Sequence, residues 1–237
     1  MTKQRTPRTA VRRATQRQGE LWRGRGGARP GAGRKPKSAQ AGVSHAARPA
    51  LPARFPVHVT VKLRSRLPAL RRRDAYAVLR GAFAAGCDRF GFRLVHYAVL
   101  NDHLHFLAEA RDRLALRRGL QGLLIRFARA LNKLWGRSGK VFADRYHDRA
   151  LKSPREVRNA LVYVMGNARK HAAAGRMVQV PQAVDLFTSA PWFDGFRERL
   201  VVRGIEAVVR PVASPRTWLL RIGWRRHGLL SVHDVPA

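Results

Sequence analysis

Two histidines separated by one residue are the first feature of this sequence that could do chemistry. His103 and His105 lie in the alternating segment 103–108, which is typical of a β-strand. Successive side chains of a strand point to opposite faces, so both imidazoles share one face. Imidazole nitrogens bind divalent metal ions. The pair therefore predicts a metal site, although two histidines on a half-buried strand are more often ordinary polar residues.

A second pair of reactive types stands on a predicted helix. Tyr163 and Asn167 are four residues apart, which places them on one helical face about one turn apart. A tyrosine hydroxyl can attack a phosphodiester and retain the broken end as a phosphotyrosine. An asparagine oxygen can complete a metal site begun by two histidines, and such a mixed N/O set suits Mg²⁺ or Mn²⁺. Taken alone, Tyr163 would more often be a packed aromatic.

The helix that carries Tyr163 has a clear predicted start. The run Ser153-Pro154-Arg155-Glu156 places serine at the N-cap, proline at the first helical position and glutamate at the third. This pattern is a capping box. We expect the helix to continue to about Ala172.

Other reactive side chains offer alternatives. Tyr146, within 145–148, is the second candidate nucleophile, although a loop tyrosine flanked by charges is usually a DNA contact or a packing residue. His58 is expected to be structural or a phosphate contact. His96 could act as an acid or base, but an edge or surface position is favoured. Glu109 could reach the outer shell of a metal or pair with an arginine.

The charge of the chain indicates its partner. Lys and Arg number 48 against 14 Asp and Glu among 237 residues, a formal net charge of +34. A domain with this imbalance repels itself unless it meets a polyanion, so nucleic acid is the expected partner. No apolar run approaches transmembrane length, and we expect no membrane association. Cys87 is the only cysteine, which excludes an intrachain disulfide and a CxxC zinc knuckle.

Composition divides the chain into three parts. Residues 1–54 are predicted to form a disordered basic tail, 55–175 the main domain and 176–237 a basic extension of unassigned role. Arginines between glycines in 23–37 could enter a DNA minor groove, or the tail could have only generic phosphate affinity. The predicted DNA contacts are Arg25, Arg29, Arg34 and Lys35 in the tail, Arg117, Arg126, Arg129 and Lys133 on a basic helix, and Arg145.

Hydrophobic periodicity predicts the order of elements. Strands are expected at 57–63, 92–100 and 103–108, and helices at 73–89 and 112–135. Short strand pieces are expected near 141–142 and 149–152. A weak strand is predicted at 205–209.

Three of these segments together resemble a known family. Residues 101–107, Asn-Asp-His-Leu-His-Phe-Leu, resemble the histidine–hydrophobe–histidine motif of single-tyrosine HUH transposases. Residues 139–146, Gly-Lys-Val-Phe-Ala-Asp-Arg-Tyr, are similar to the later Arg-Tyr segment of that family. Residues 163–169, Tyr-Val-Met-Gly-Asn-Ala-Arg, look like the Tyr-Ile-x-x-Asn-Pro segment of its branch called REP-associated tyrosine transposases. The resemblance covers about residues 55–175.

The resemblance implies a fold and an activity. The fold would be α+β, a ferredoxin-like HUH core with an antiparallel sheet and flanking helices. Tyr163 would be the nucleophile, and His103, His105 and Asn167 would hold Mg²⁺ or Mn²⁺. The substrate would be single-stranded or hairpin DNA, cut and rejoined through a 5′-phosphotyrosine. The chain departs from the family pattern at Asp102, where Asn is usual, and at Ala168, where Pro is usual.

Further expectations follow from this assignment. The protein would act as a monomer or homodimer in the bacterial cytoplasm, associated with the nucleoid. The alternative is a catalytically inactive DNA- or RNA-binding protein that retains the same fold, since arginine-rich composition does not separate RNA from DNA.

Overall fold

A five-stranded antiparallel sheet lies at the centre of the computed structural model. The structure describes residues 48–173, 184–202, 205 and 207–236, all within one compact unit, Val43–Ala237. The predicted tail contacts Arg25, Arg29, Arg34 and Lys35 lie outside the described residues. The strands are β1 (Val57–Lys62), β2 (Asp88–Arg89), β3 (Phe92–Val99), β4 (His103–Ala110) and β5 (His147–Ala150), in the spatial order β2-β3-β4-β1-β5.

Three long helices flank this sheet. They are α1 (Arg73–Gly86), α2 (Arg113–Leu134) and α3 (Pro154–Ala173). Apart from the two-residue β2, the chain order is β-α-β-β-α-β, the arrangement of the ferredoxin-like fold. The expected α+β class is therefore confirmed. The strands expected at 57–63, 92–100 and 103–108, the strand piece near 149–152 and the three helices agree with the observed elements to within three residues at each end, whereas the piece expected near 141–142 is only an isolated bridge between Phe142 and Leu63.

Helices α1 and α2 cover one face of the sheet. Their buried side chains recur at helical spacing and meet the strands in one apolar cluster, where Phe83 stacks on Tyr97 at 4.1 Å between ring centroids. Gly119 allows α2 to approach β3 closely, because a Cβ at that position would lie 2.1 Å from the ring of Phe92. This first cluster belongs to the α1–α2 face.

Helix α3 covers the opposite face of the sheet. A second cluster joins it to Val95, Ala98 and Leu107 of β3 and β4. The two clusters use alternate residues of the same strands, as the period of two requires. The side chains of β4 that point away from α1 and α2 therefore point toward α3.

The residues after α3 extend this second cluster. They include short 3₁₀ turns at Ala190–Trp192 and Gly223–His227 and the short helix α4 (Trp218–Arg221). Trp224 is buried in the cluster. The strand predicted at 205–209 is wrong for the described residues of that range. The backbone N–H groups of Ile205 and Val208 instead bond carbonyls three residues earlier, which is the pattern of turns.

The expected pairing of Glu109 with an arginine is confirmed, since its Oε2 lies 3.8 Å from Arg93 Nε, whereas His96 differs from expectation. Glu109 is buried and accepts hydrogen bonds from the backbone N–H groups of Arg216 and Thr217, just before α4 begins. His96 is buried instead of lying at the surface, because Ser189 and Phe193 from the segment after α3 pack against its ring. Its Nδ1 lies 3.2 Å from the Ser189 hydroxyl.

None of the helices in the described ranges is long and apolar enough to cross a membrane.

Burial of His96 makes stability depend on pH. Burial lowers the pKa of His96 from its ordinary 6.5 to about 3. Below pH 6.5 the unfolded chain binds a proton that the folded chain excludes, so this stabilisation is complete above pH 6.5 and is lost as the pH falls toward 3. We expect His96→Gln to remove on the order of 1 kcal/mol per pH unit from the slope of unfolding free energy between pH 6 and 4.

Urea unfolding at several pH values measures that slope. His227→Gln is the matched control, because His227 is exposed. An unchanged slope in the His96 variant would contradict the assignment.

Candidate active site

The two histidines of β4 form the floor of the candidate site. His103 and His105 point to the α3 face, with ring centroids 4.9 Å apart and ring planes perpendicular. His105 is only 3% exposed, whereas the His103 side chain retains 20% exposure. Leu104 and Phe106 between and beyond them belong to the opposite cluster. The predicted sharing of one face by the histidines is confirmed.

Neighbouring side chains engage one nitrogen of each ring. The register of β1 places Thr60 opposite His105, and the Thr60 hydroxyl lies 3.1 Å from His105 Nδ1. His58 Nε2 lies 3.3 Å from the same atom. Asp102 Oδ1 lies 2.7 Å from His103 Nδ1. Since both Nδ1 atoms have hydrogen-bond partners, Nε2 is the atom of each ring suited to ligate a metal.

The two supporting groups Asp102 and His58 have shifted pKa values. Partial burial, the largest single effect, would raise the pKa of Asp102, but the hydrogen bond and charge interaction with His103, a backbone hydrogen bond and the charge of Lys62 together lower that pKa below its usual range. Burial, followed by the nearby His147 and Arg149, lowers the pKa of His58 to about 4. Asp102 is therefore anionic and His58 neutral at neutral pH.

Helix α3 positions the candidate nucleophile above the histidines. The predicted capping box is confirmed: Glu156 N–H donates to Ser153 Oγ at 3.2 Å, and Ser153 N–H donates to Glu156 Oε2 at 3.1 Å. Nine residues after Pro154, where the helix begins, the ring of Tyr163 lies edge-on to His105, with ring centroids 5.0 Å apart. Lys170 Nζ lies 5.6 Å from the centre of the Tyr163 ring.

Asn167 has an unusual environment. Its side chain is completely buried, and neither amide atom has a hydrogen-bond partner within the part of the chain that the structure describes. An unsatisfied buried amide costs about 1–3 kcal/mol, so its presence calls for an explanation. Ala168, in place of proline, leaves α3 continuous through this point.

The residues present fit a divalent metal. Two imidazole Nε2 atoms and one buried amide oxygen form the mixed N/O set that Mg²⁺ or Mn²⁺ accepts. The described residues contain no group of three or more His, Cys, Asp or Glu side chains placed to hold an ion. Asn167 would be the third protein ligand, and the lack of a hydrogen-bond partner for its buried amide among the described residues is the observation that supports the fit.

A small cleft opens beside Tyr163. Its volume is about 230 Å³, and its walls include His58, Tyr163, Arg149 and Asn159. Arg149 also pairs with Glu156 at the start of α3. The helical residues that line it, Glu156, Asn159 and Ala160, precede Tyr163 in the chain.

The structure does not bring Tyr146 to this site. Tyr146 packs against the cluster on the α1–α2 face, and the guanidinium of Arg48 stacks over its ring at 3.9 Å. The sheet separates it from His105 and Tyr163, which belong to the α3 face.

The predicted DNA contacts that fall within the described residues lie in different places on the molecule. Arg117 and Arg145 line a cleft of about 780 Å³ between α2 and the loop before β5. Arg129 and Lys133 are exposed elsewhere on α2, and Arg126 lies against the end of α1.

Thr60 is the site residue that sequence reasoning missed. Thr60 and His58 are two apart on β1, so the alternation does place them on one face. Their proximity to His105 depends on the pairing register of β1 with β4, which no local pattern specifies.

Comparisons with known proteins are sparse. No family model matches the chain, and no curated protein does. Among solved structures, the chain is similar to a REP-associated tyrosine transposase bound to a REP hairpin, with 18% identity, a TM-score of 0.48 and coverage of 63% of this chain and 84% of that chain. It is also similar to a protein of Deinococcus radiodurans R1 assigned as a transposase, with 15% identity, a TM-score of 0.35 and coverage of 47% of this chain and 87% of that chain. The chemistry proposed below rests on the residues of this chain.

The buried amide of Asn167 gives a prediction about stability and metal binding. We expect Asn167→Leu to raise the unfolding free energy of the metal-free protein by about 1 kcal/mol or more, since it removes an unsatisfied polar group. The same substitution should abolish the rise in Tm that Mn²⁺ produces by binding the folded state.

Urea unfolding and thermal melts with and without Mn²⁺ measure the two effects. Asn159→Leu is the control, because Asn159 lies on the same helix but is exposed, and it accounts for the change in helix propensity. A retained Mn²⁺ effect in Asn167→Leu would rule out Asn167 as a ligand.

Proposed function

We propose that the protein is a metal-dependent single-stranded DNA endonuclease and strand transferase that acts through a 5′-phosphotyrosine. One observation carries the proposal: Tyr163 lies over His105, and the buried amide of Asn167 follows one turn later on the same helical face. We propose that this tyrosine, the two imidazoles and the amide act together between α3 and β4.

The reaction is a transesterification. The phenolic oxygen of Tyr163 attacks the phosphorus, the bond from phosphorus to the 3′ oxygen breaks, and the 5′ phosphate stays on the tyrosine. The phenolic proton is released and the departing 3′ oxygen leaves as a hydroxyl, so the step needs no oxidant or nucleotide triphosphate. The phosphodiester energy is retained, and attack by a second 3′-hydroxyl rejoins strands.

Different residues would bind the metal ion and orient the groups that bind it. His103, His105 and Asn167 would hold the ion, which would stabilise charge on the phosphate when bound. Asp102 and Thr60 fix the orientation of the two imidazoles through their Nδ1 atoms. Lys170 places a positive charge beside the Tyr163 ring, within reach of a phosphate bound there.

The surroundings of Tyr163 support a single-stranded substrate. The cleft of about 230 Å³ beside Tyr163 is far too small to enclose a duplex, so we propose that part of an unpaired segment enters it. Arg149 on its rim offers a guanidinium to an adjacent phosphate. A net charge of +34 concentrates any polynucleotide at the surface. Unpaired DNA beside a hairpin is the substrate that we propose.

Covalent capture tests the proposal. The protein is incubated with labelled single-stranded and hairpin oligonucleotides and Mn²⁺, then denatured. We expect a protein–DNA adduct that a chelator abolishes and that Tyr163→Phe eliminates. His103→Ala and His105→Ala should each reduce its yield by about 100-fold or more.

Tyr146→Phe is the matched control. It removes the hydroxyl of the other candidate and should leave adduct formation intact. An adduct that survives Tyr163→Phe would reassign the nucleophile. Absence of any adduct across a broad oligonucleotide pool would favour the alternative of a catalytically inactive nucleic-acid-binding protein.

A further inference from the structure

The larger cleft lies on the face of the sheet away from Tyr163. Its volume is about 780 Å³, and it is bounded by α2 on one side and residues 139–146 on the other. No residue of the candidate active site contributes to it. Its lining combines cationic and apolar side chains, so a ligand of this cleft should interact favourably with both kinds.

The charges of the cleft favour a polyanion. Five cationic side chains line it against one carboxylate, Asp144; they are Arg48, Arg113, Arg117, Lys140 and Arg145. Two of them are partly neutralised, because Arg48 and Arg113 both pair with Asp148, at 3.1 and 2.5 Å. An excess of positive charge remains at the rim. Guanidinium groups predominate, and their forked donors match phosphate oxygens.

The wall formed by α2 is suited to an extended strand. Arg113, Arg117 and Gln121 follow one another at intervals of four residues, so they form a row along one helical face with a spacing of about 6 Å. A row of this kind can follow the phosphates of a polynucleotide backbone, with the Gln121 amide beside the bases.

The apolar lining indicates that the strand is unpaired. Leu124, Ala128, Val141 and Phe142 contribute to the lining, and Ile125 is 44% exposed beside them. Unpaired bases present their faces to such a surface, whereas the bases of a duplex are hidden by stacking. An acidic peptide would satisfy the cations but would gain little from the apolar lining.

We infer that this cleft is a second nucleic-acid site, which binds an unpaired polynucleotide segment on the opposite face of the sheet from Tyr163. The inference deepens the proposed function, because it supplies a place to hold one part of the DNA while another part reaches the tyrosine. It does not require cleavage, and the two can be tested separately.

The test uses the full chain carrying Tyr163→Phe, which binds but cannot form an adduct. Binding of fluorescent single-stranded DNA is measured by anisotropy at raised salt, which suppresses generic phosphate affinity. We expect Arg117→Glu to weaken binding by about fivefold or more. Arg118→Glu, an identical charge change at the adjacent exposed residue outside the cleft, should have less than about a twofold effect.

The apolar lining has its own matched pair. We expect Ile125→Ser to weaken binding of single-stranded DNA by about fivefold and to leave binding of a blunt duplex unchanged. Leu134→Ser is the control, because Leu134 is 36% exposed on the same helix but does not line the cleft.

Two results would overturn the inference. One is equal weakening by Arg117→Glu and Arg118→Glu, which would indicate generic charge attraction. The other is competition by a polyglutamate peptide as effective as that by single-stranded DNA of equal charge, which would indicate a peptide site. If the binding measurements agree with these expectations but the protein that retains Tyr163 forms no adduct with DNA, the binding site in the cleft is supported and the proposed transesterification is wrong.

Discussion

The pairing register of β1 with β4 is the constraint on which the candidate site depends. It places Thr60 opposite His105 and therefore supplies a hydrogen-bond partner to an imidazole that is almost wholly buried. Without such a partner, burial of the ring would cost several kcal/mol, on the order of the penalty for any unsatisfied polar group. A slip of one residue in β4 would move both histidines into the apolar cluster under α1 and α2.

Helix α3 is held against this strand from several directions. Its first turn is closed by Ser153 and Glu156, and its inner face packs on β3 and β4. From outside, Arg158 donates to the carbonyl oxygens of Gly228 and Leu229. Gly166 permits close contact with the C-terminal segment, since a Cβ there would lie 2.9 Å from the Asp234 carbonyl oxygen.

The C-terminal segment thus supports the site without contributing a reactive group to it. Glu109 anchors that segment to β4, the strand that carries the two histidines, through the N–H groups that precede α4. A reactive constellation needs side chains held to within a fraction of an ångström, and support from packed neighbours provides this. Strand β5 connects the two faces: His147 and Arg149 lie near His58, whereas Asp148 between them pairs with Arg48 and Arg113 beside the larger cleft.

The sequence by itself determined the features that depend on short-range geometry. The period of two placed His103 and His105 on one face, the spacing of four placed Tyr163 and Asn167 on another, and the capping box marked the start of α3. Hydrophobic periodicity predicted the main strands and helices for the same reason. These rules act within a few residues of chain, so they can be applied before any fold is known.

Only the tertiary structure decided which of these faces meet. The burial of His96 depends on Ser189 and Phe193, which come from a distant segment. The backbone partners of Glu109 come from residues more than a hundred positions later, and Tyr146 is separated from His105 by the sheet. The roles of Thr60 and the unsatisfied amide of Asn167 likewise depend on pairing register and packing. Which distant segments come into contact depends on which arrangement of all the helices and strands buries the most apolar surface. A local sequence pattern does not contain that information.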